Sequence, residues 1–421
     1  MRHFLSIGTV AGLSLILALG SQWYILVAVG PGVETDAYFA VLAITTAVFT
    51  VLAGGLANVL VPIFLDLAQE EKAAVTLGVL SLVFFSSVLV TAILVLATSW
   101  WAPVLLPGFS TAGKGLAVEL APMLAMAAGM QAVAQNVAAV HRAREKYIWP
   151  EVSNLVANTC FLIAIWLLLP VSGVQTAAWL VFLRALLVNV LMLKGVGLDV
   201  KPRFPSAVRR KLWQQYRPLL FGASIYKTGP IVDRYLASQG PPGTITLLGF
   251  ALQLYQMFLF VVEKGISAPL VTKAAIHAGR GRLHDLRTDY AHALVVAGSI
   301  ALVVWFMVWM AGTDGLSLVV GYGNVTREDV FFLYDLMLVL GAMPVAGVFG
   351  QLAASCLYGL GETGTVTRVA VVNFLIAIAI KVVLFREMGL LGLAIGIVAY
   401  QLLNAVVLHG ILMRMSRRGN G

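Results

Sequence analysis

The chain has 421 residues, 60% of them hydrophobic and only 11% charged, with a formal net charge of +9. Soluble domains carry about 25% charged residues, so this composition, with a mean hydropathy of +0.93, excludes a water-soluble globule. The two cysteines, Cys160 and Cys356, both lie in apolar runs and exclude a disulfide framework or a thiolate metal site.

Apolar runs long enough to cross a hydrocarbon core about 30 Å thick recur from end to end. The bilayer core offers no water to the backbone, so these runs predict helices, and they lack the alternation of a membrane barrel. In chain order the expected spans are 4–29, 37–64, 74–100, 116–140, 151–169, 175–193, 218–238, 244–272, 290–311, 330–360, 366–385 and 390–413. The first resembles a signal peptide as far as Ala18-Leu19-Gly20, but its apolar run continues to Val29 and reads as an uncleaved span.

Charge sets the orientation. With the N-terminus inside, twenty basic residues fall in cytoplasmic loops and tails, against Lys114, Arg327 and Arg386 outside. That asymmetry accounts for the basic charge without nucleic acid, and it places a multi-pass protein in a cell membrane with both termini in the cytoplasm. The linker after the sixth span contains Val208, Leu212 and Tyr216 at helical spacing among Arg209, Arg210 and Lys211. It reads either as a short helix on an anionic inner leaflet or as a solvated connection.

The two halves repeat. Gly30-Pro31-Gly32 follows the first span and Gly240-Pro241-Pro242-Gly243 the seventh, an offset of 210 residues. Gly55 to Val61 matches Gly265 to Val271 at the same offset, and Asn158 matches Asn373 at 215. The chain therefore reads as two parallel six-helix bundles, 1–197 and 218–421, joined by an interfacial linker at 198–217. Parallel repeats of this kind bind cargo between their halves.

Charges at membrane depth are costly and mark function. Lys227 falls near the middle of span 7 and Arg234 seven residues later, on one helical face, with Gly229 and Pro230 between them as an expected hinge. Gln253 and Lys264 share a stripe on span 8, and Arg184 sits at the centre of span 6. Lys381 reads as snorkelling to the outer headgroups. Asp36 either binds a cation or caps span 2. Gly392 and Gly396 read as close helix packing.

Gly30 to Phe39, with Leu60-Val61-Pro62, resembles the corresponding stretch of lipid II flippases. Asp233-Arg234 through Gly240-Pro241 resembles the second-half signature of polysaccharide and O-antigen flippases, and Tyr358-Gly-Leu-Gly-Glu362-Thr363 resembles a loop found in both. All belong to the multidrug/oligosaccharidyl-lipid/polysaccharide (MOP) flippase superfamily. The resemblance implies an all-α, V-shaped pair of bundles, alternating access, and a polyprenyl-pyrophosphate-linked oligosaccharide or cell-wall precursor as cargo. Where lipid II flippases carry arginines, this chain reads Tyr24 to Ala28, Thr45 to Thr50 and Leu252-Gln253, which favours a polysaccharide-type cargo.

With such a cargo, Lys227, Arg234, Lys264 and Arg184 are the residues to bind pyrophosphate, the alternatives being that Arg234 pairs with Asp233 or snorkels outward and that Lys264 pairs with Glu263 or snorkels towards the cytoplasm. Ser21, Gln22, Thr46, Thr50, Asn58, Gln253 and Gln256 would serve the sugar. The competing reading is a cation-coupled multidrug exporter of the same superfamily, driven by acidic residues that the first bundle nearly lacks. A membrane glycosyltransferase needs a long outer loop, and none is present. There is no His-Glu-x-x-His, phosphate loop or nucleophile elbow, so no enzyme, cofactor or metal is expected. Energy is expected from an ion gradient, the membrane potential or the cargo gradient.

Overall fold

A computed structural model of the chain describes residues 2–53, 56–65, 69–194, 196, 201–280 and 282–418. Among them every regular element is helical, and nine helices are long and apolar enough to cross a membrane. That is the outcome required where each segment must satisfy its own backbone groups. The chain divides into two compact units, Met1–Thr246 and Leu247–Gly421.

The first unit contains α1 (Arg2–Val29), α2 (Val33–Ala53), α3 (Leu56–Leu65), α4 (Gln69–Leu96), α5 (Thr98–Leu105), α6 (Thr111–Ala143) and α7 (Ile148–Leu193). At 46 residues α7 is too long for one crossing, and it turns at Gly173, whose φ of 66° suits a residue without a Cβ. Trp149 Nε1 donates to Leu191 O at 3.0 Å, so the two arms lie side by side. They are the expected spans 5 and 6. The core of this unit includes Leu60, Val79, Ala134, Val137, Ala157 and Val188.

Two shorter helices follow, α8 (Ser206–Tyr226) and α9 (Gly229–Ala237). Leu212 is buried in the core of the first unit, with Val208 and Tyr216 packed beside it. The expectation that this stripe lies on the lipid surface is therefore corrected: its apolar face is consumed by protein. The approach is tight because Gly78 lacks a Cβ, which would strike Arg203 O, and Arg203 N donates to Ala74 O at 2.9 Å. The segment 218–246, which the repeat assigns to the second half, packs with the first unit, α9 lying against α2 and α5. The expected bundle boundary at 197 lies outside the described residues.

Helix α10 (Thr244–Val262) leads into the second unit. It continues through a π-helical turn at Glu263–Ser267 into α11 (Ala268–Gly279), followed by α12 (Leu283–Val320), α13 (Arg327–Leu340), α14 (Ala342–Gly359) and α15 (Thr363–Arg418). α15 folds back at Gly389, at φ 60°, and Asn373 Nδ2 donates to Asn404 Oδ1 at 3.0 Å across its arms. These arms are the expected spans 11 and 12. Gly392 and Gly396 allow their approach: a Cβ would meet Leu384 O at the first and, at 2.7 Å, Lys381 Cγ at the second. Lys381 is only 4% exposed. The snorkelling expected of it is thus corrected, because its stem is held between the arms rather than along the lipid face.

Candidate functional site

The seventh expected span is broken where sequence placed its hinge. Lys227 and Thr228 form a turn between α8 and α9, and Pro230 occupies the first turn of α9, where its missing N–H leaves no helix bond unmade. Thr228 Oγ1 closes the turn by donating to Ile225 O at 2.6 Å. The break has a consequence for the expected pairing: a seven-residue spacing sets two side chains on one face only of an unbroken helix. Lys227 therefore stands in the turn itself and Arg234 on α9 beyond it. Lys227 is half-buried and makes no hydrogen bond or ion pair with the described residues.

Arg234 is buried in α9, in the field of the Asp233 and Asp36 carboxylates. Its Nε is buried without a hydrogen-bond partner among the described residues. Asp36, in the first turn of α2, is itself buried. Its Oδ2 accepts from Gly243 N at 2.7 Å, and its Oδ1 from Thr246 N at 2.8 Å and Thr246 Oγ1 at 2.6 Å. The carboxylate therefore caps the N-terminus of α10, where unsatisfied N–H groups and the helix dipole favour negative charge. The helix that carries it is capped by Thr35, whose Oγ1 accepts from Gly32 N at 3.0 Å and donates to Gly30 O at 2.9 Å. Gly243, at φ 93°, brings this turn against Pro31, whose Cβ would lie 2.9 Å from a Cβ added there. With both oxygens engaged by protein donors, Asp36 acts as a cap, though of a helix more than 200 residues away in sequence rather than its own.

Arg184 lies on the second arm of α7. Its Nη1 donates to Asn158 Oδ1 at 2.9 Å on the first arm, and its guanidinium stands 5.7 Å from the centre of the Phe161 ring. Asn158 Nδ2 in turn donates to Ser14 Oγ at 2.9 Å and Ser14 O at 3.1 Å on α1. Tyr38 lies within electrostatic reach. The Arg184 Nε is buried and unpartnered, and no carboxylate of the described residues pairs with this guanidinium. Asn158, Ser14 and Tyr38 were not singled out by sequence. The one available signal was Asn158 at its repeat position, matching Asn373.

The remaining expected residues are dispersed. Gln22 and Thr50 in the first unit and Gln253 in the second are half-buried and make no hydrogen bond with described residues. Lys264 is exposed in the π-helical turn, 5.2 Å from the centre of the Phe260 ring. The Asn58 side chain lies outside the described residues. Structure thus brings Arg234 to Asp36, and Arg184 to Asn158. Among the described residues no three acidic, histidine or cysteine side chains gather as a metal site. Half-buried cations with incomplete partners in apolar surroundings can stabilise an incoming anion.

A family model described as lipid II flippase MurJ matches residues 26–420, nearly the whole chain. The chain belongs to the MurJ family. A curated relative, the probable lipid II flippase MurJ of Bdellovibrio bacteriovorus, is 23% identical over 247 residues, 57% of this chain. The match spans about half, 47%, of that relative's length. Among solved structures, a MurJ lipid II flippase in an inward closed conformation aligns with TM-score 0.78 at 16% identity, covering 98% of this chain and 90% of that one. An inward-facing MATE multidrug resistance transporter of the MOP superfamily aligns with TM-score 0.75 at 14% identity, covering 99% and 95%. At these identities the structural likeness establishes the fold, that of the MOP superfamily. The expected resemblance to lipid II flippases is correct, and the chain falls in the MurJ family, with a fold shared by transporters of the MOP superfamily.

Proposed function

We propose that this MurJ-family chain is a flippase that carries a polyprenyl-pyrophosphate-linked cell-wall precursor from the inner to the outer leaflet by alternating access. It would work in a bacterial cytoplasmic membrane with both termini inside. The observation that carries the reading is Lys227, half-buried at a helix break, with no counter-charge among the described residues. A pyrophosphate supplies that counter-charge only while bound, so cargo stabilises one conformation over another. Arg184 and Arg234 each retain a buried Nε with no partner and extend the anion-binding capacity of the first unit. Gly229 and Pro230 form the joint about which the segment bearing Arg234 moves. The amide of Gln22 and the hydroxyl of Thr50, neither satisfied by described residues, would meet the sugar.

The exporter reading draws on the likeness to MATE transporters, which is a likeness of fold. It calls for a carboxylate free to take up a cation, and Asp36 accepts three hydrogen bonds from protein.

The test is vesicle reconstitution. Purified protein should expose a fluorescent prenyl-pyrophosphate-linked saccharide, loaded on one leaflet, to a reagent on the other side. Lys227→Gln should slow this at least about tenfold at equal folded yield. If wild-type protein leaves the lipid-linked sugar where it was loaded but carries a cationic dye, the chain is an exporter.

A further inference from the structure

Helix α8 carries two stripes. Val208, Leu212 and Tyr216 are spent on the core of the first unit. One residue on, and so about 100° round the axis, Arg209, Trp213 and Arg217 repeat at the same spacing and are all exposed. The Trp213 side chain is 54% exposed, although the apolar face of its own helix is already used. Residues 201–217 contain six basic side chains and no acidic one. An exposed indole among arginines suits neither bulk water nor a protein core.

Two separate paths along the chain set the depth of this stripe. Asp36 and Arg234 lie close together beside the turns at 30–32 and 240–243, which join successive helices at one end of the unit. From that end, Leu52 lies sixteen residues along α2, about 24 Å of helix. Tyr216 lies eighteen residues back from Arg234 through α9, the turn and α8, about 27 Å. The paths meet, because Tyr216 OH donates to Leu52 O. A hydrocarbon core is about 30 Å thick, and headgroups bring the bilayer to about 40–45 Å. Tyr216 and Arg217 therefore stand at the far edge of the hydrocarbon, the edge that the charge asymmetry assigns to the cytoplasm. Trp213 and Arg209 stand about 5 and 10 Å beyond it, in the headgroup layer. Arg203, whose N–H donates to Ala74 O at 2.9 Å, fixes the start of this segment beside the same end of α4.

We infer that Arg209, Trp213 and Arg217 form a binding surface for anionic phospholipid headgroups of the inner leaflet. Guanidinium forks pair with phosphate oxygens through two parallel hydrogen bonds. Arg217, at the hydrocarbon edge, reaches the same layer by snorkelling. The indole sets its ring against the first acyl carbons and its N–H toward glycerol or phosphate oxygens. Every phospholipid has a phosphate, but in a zwitterionic headgroup an ammonium cancels its charge and competes with arginine for it. An anionic leaflet leaves that charge to the basic side chains. The surface is independent of the cargo, and its test reads no transport.

The experiment places the full chain in nanodiscs of phosphatidylcholine, alone or with about 30% phosphatidylglycerol. Hydroxyl-radical oxidation of each aromatic residue is followed by mass spectrometry. At low salt, phosphatidylglycerol should slow oxidation of Trp213 at least about fivefold. In about 1 M sodium chloride, where the screening length falls to about 3 Å, most of that protection should vanish. Arg209→Gln combined with Arg217→Gln should abolish the effect at an unchanged melting temperature, both side chains being exposed. Tyr322, 51% exposed in the second unit, should oxidise at one rate in both lipids. Equal protection of Trp213 in both lipids would mean a neutral interfacial anchor and overturn the inference. Free oxidation in both would leave the stripe to water or to a protein partner and overturn it as well. Protection that salt does not change would exclude the arginine–phosphate contact, and equal slowing at Tyr322 would reveal a bulk effect of the charged lipid; either result defeats the assignment. The salt comparison uses the unaltered chain, so it decides the matter even where the double variant fails to fold.

Discussion

Taking one partner from a buried charge costs more than an average hydrogen bond contributes, because the remaining group keeps its desolvation penalty. Asp36 is where that rule predicts the largest loss. Asp36→Asn replaces one acceptor oxygen by an N–H2 donor facing a backbone N–H, and leaves Arg234 with one carboxylate neighbour fewer. Thermal unfolding in detergent should show a loss on the order of 3 kcal/mol. Thr246→Val removes only the hydroxyl donor at 2.6 Å and should cost about half as much, on the order of 1.5 kcal/mol. If the two losses simply add, Asp36 and Thr246 do not act on each other. Lys227→Gln, in contrast, should leave the melting temperature nearly unchanged, since Lys227 has no described partner to lose. At this scale sequence was informative where a residue type is anomalous for its surroundings, as for Lys227 and Arg184. It was silent where a role depends on a partner far along the chain. Asp36 read, from its position, either as a cation site or as a cap of span 2, and nothing local indicates that the helix it caps begins at Thr244.

Helices were the most legible level, because a membrane leaves them little alternative. Hydropathy marks their length, while glycines mark their turns: Gly173 and Gly389 each divide one continuous helical stretch into a hairpin. What hydropathy does not report is which apolar surface meets lipid and which meets protein, since both are equally apolar. That is why the stripe Val208, Leu212 and Tyr216 was legible as a stripe and not as a core contact. It is also why Lys381 looked like a headgroup anchor when it lies between two helices. Gly396→Val tests the second point. Its added atoms would press on Lys381 Cγ at 2.7 Å and Cα at 3.0 Å, so the hairpin should lose about 1–3 kcal/mol, measured as earlier thermal unfolding. Gly410→Ala, where an added Cβ meets nothing within 4 Å, should be neutral. The stripe through Gln253 and Lys264 ends in a feature hydropathy does not report, with Lys264 exposed in a π-helical turn. The π-helical turn inserts wider hydrogen bonding at Glu263–Ser267 and shifts every later side chain around the axis.

For the whole chain, the positive-inside asymmetry predicts that reporters fused after Pro31, Pro241 and Thr313 face outward and those after Arg144, Arg210 and Arg282 face inward. An inward reporter after Pro31 would reverse the proposed direction of transport. The internal repeat was legible in sequence through two glycine-proline turns at one offset, and it carries a consequence at Asp36. The hydrogen bonds from Thr246 join positions 210 residues apart, the same offset that superimposes Gly30 on Gly240. Residue 36 and residue 246 are thus counterparts, and here counterparts touch. Two identical copies of either half could not make the bond from the Thr246 hydroxyl, because aspartate would face aspartate and repel, or threonine would face threonine with no charge to hold it. A donor on one side and an acceptor on the other require the two copies to have diverged. The contact is a broken symmetry, and restoring it by Thr246→Asp or Asp36→Thr should harm the protein more than either residue's size or polarity suggests.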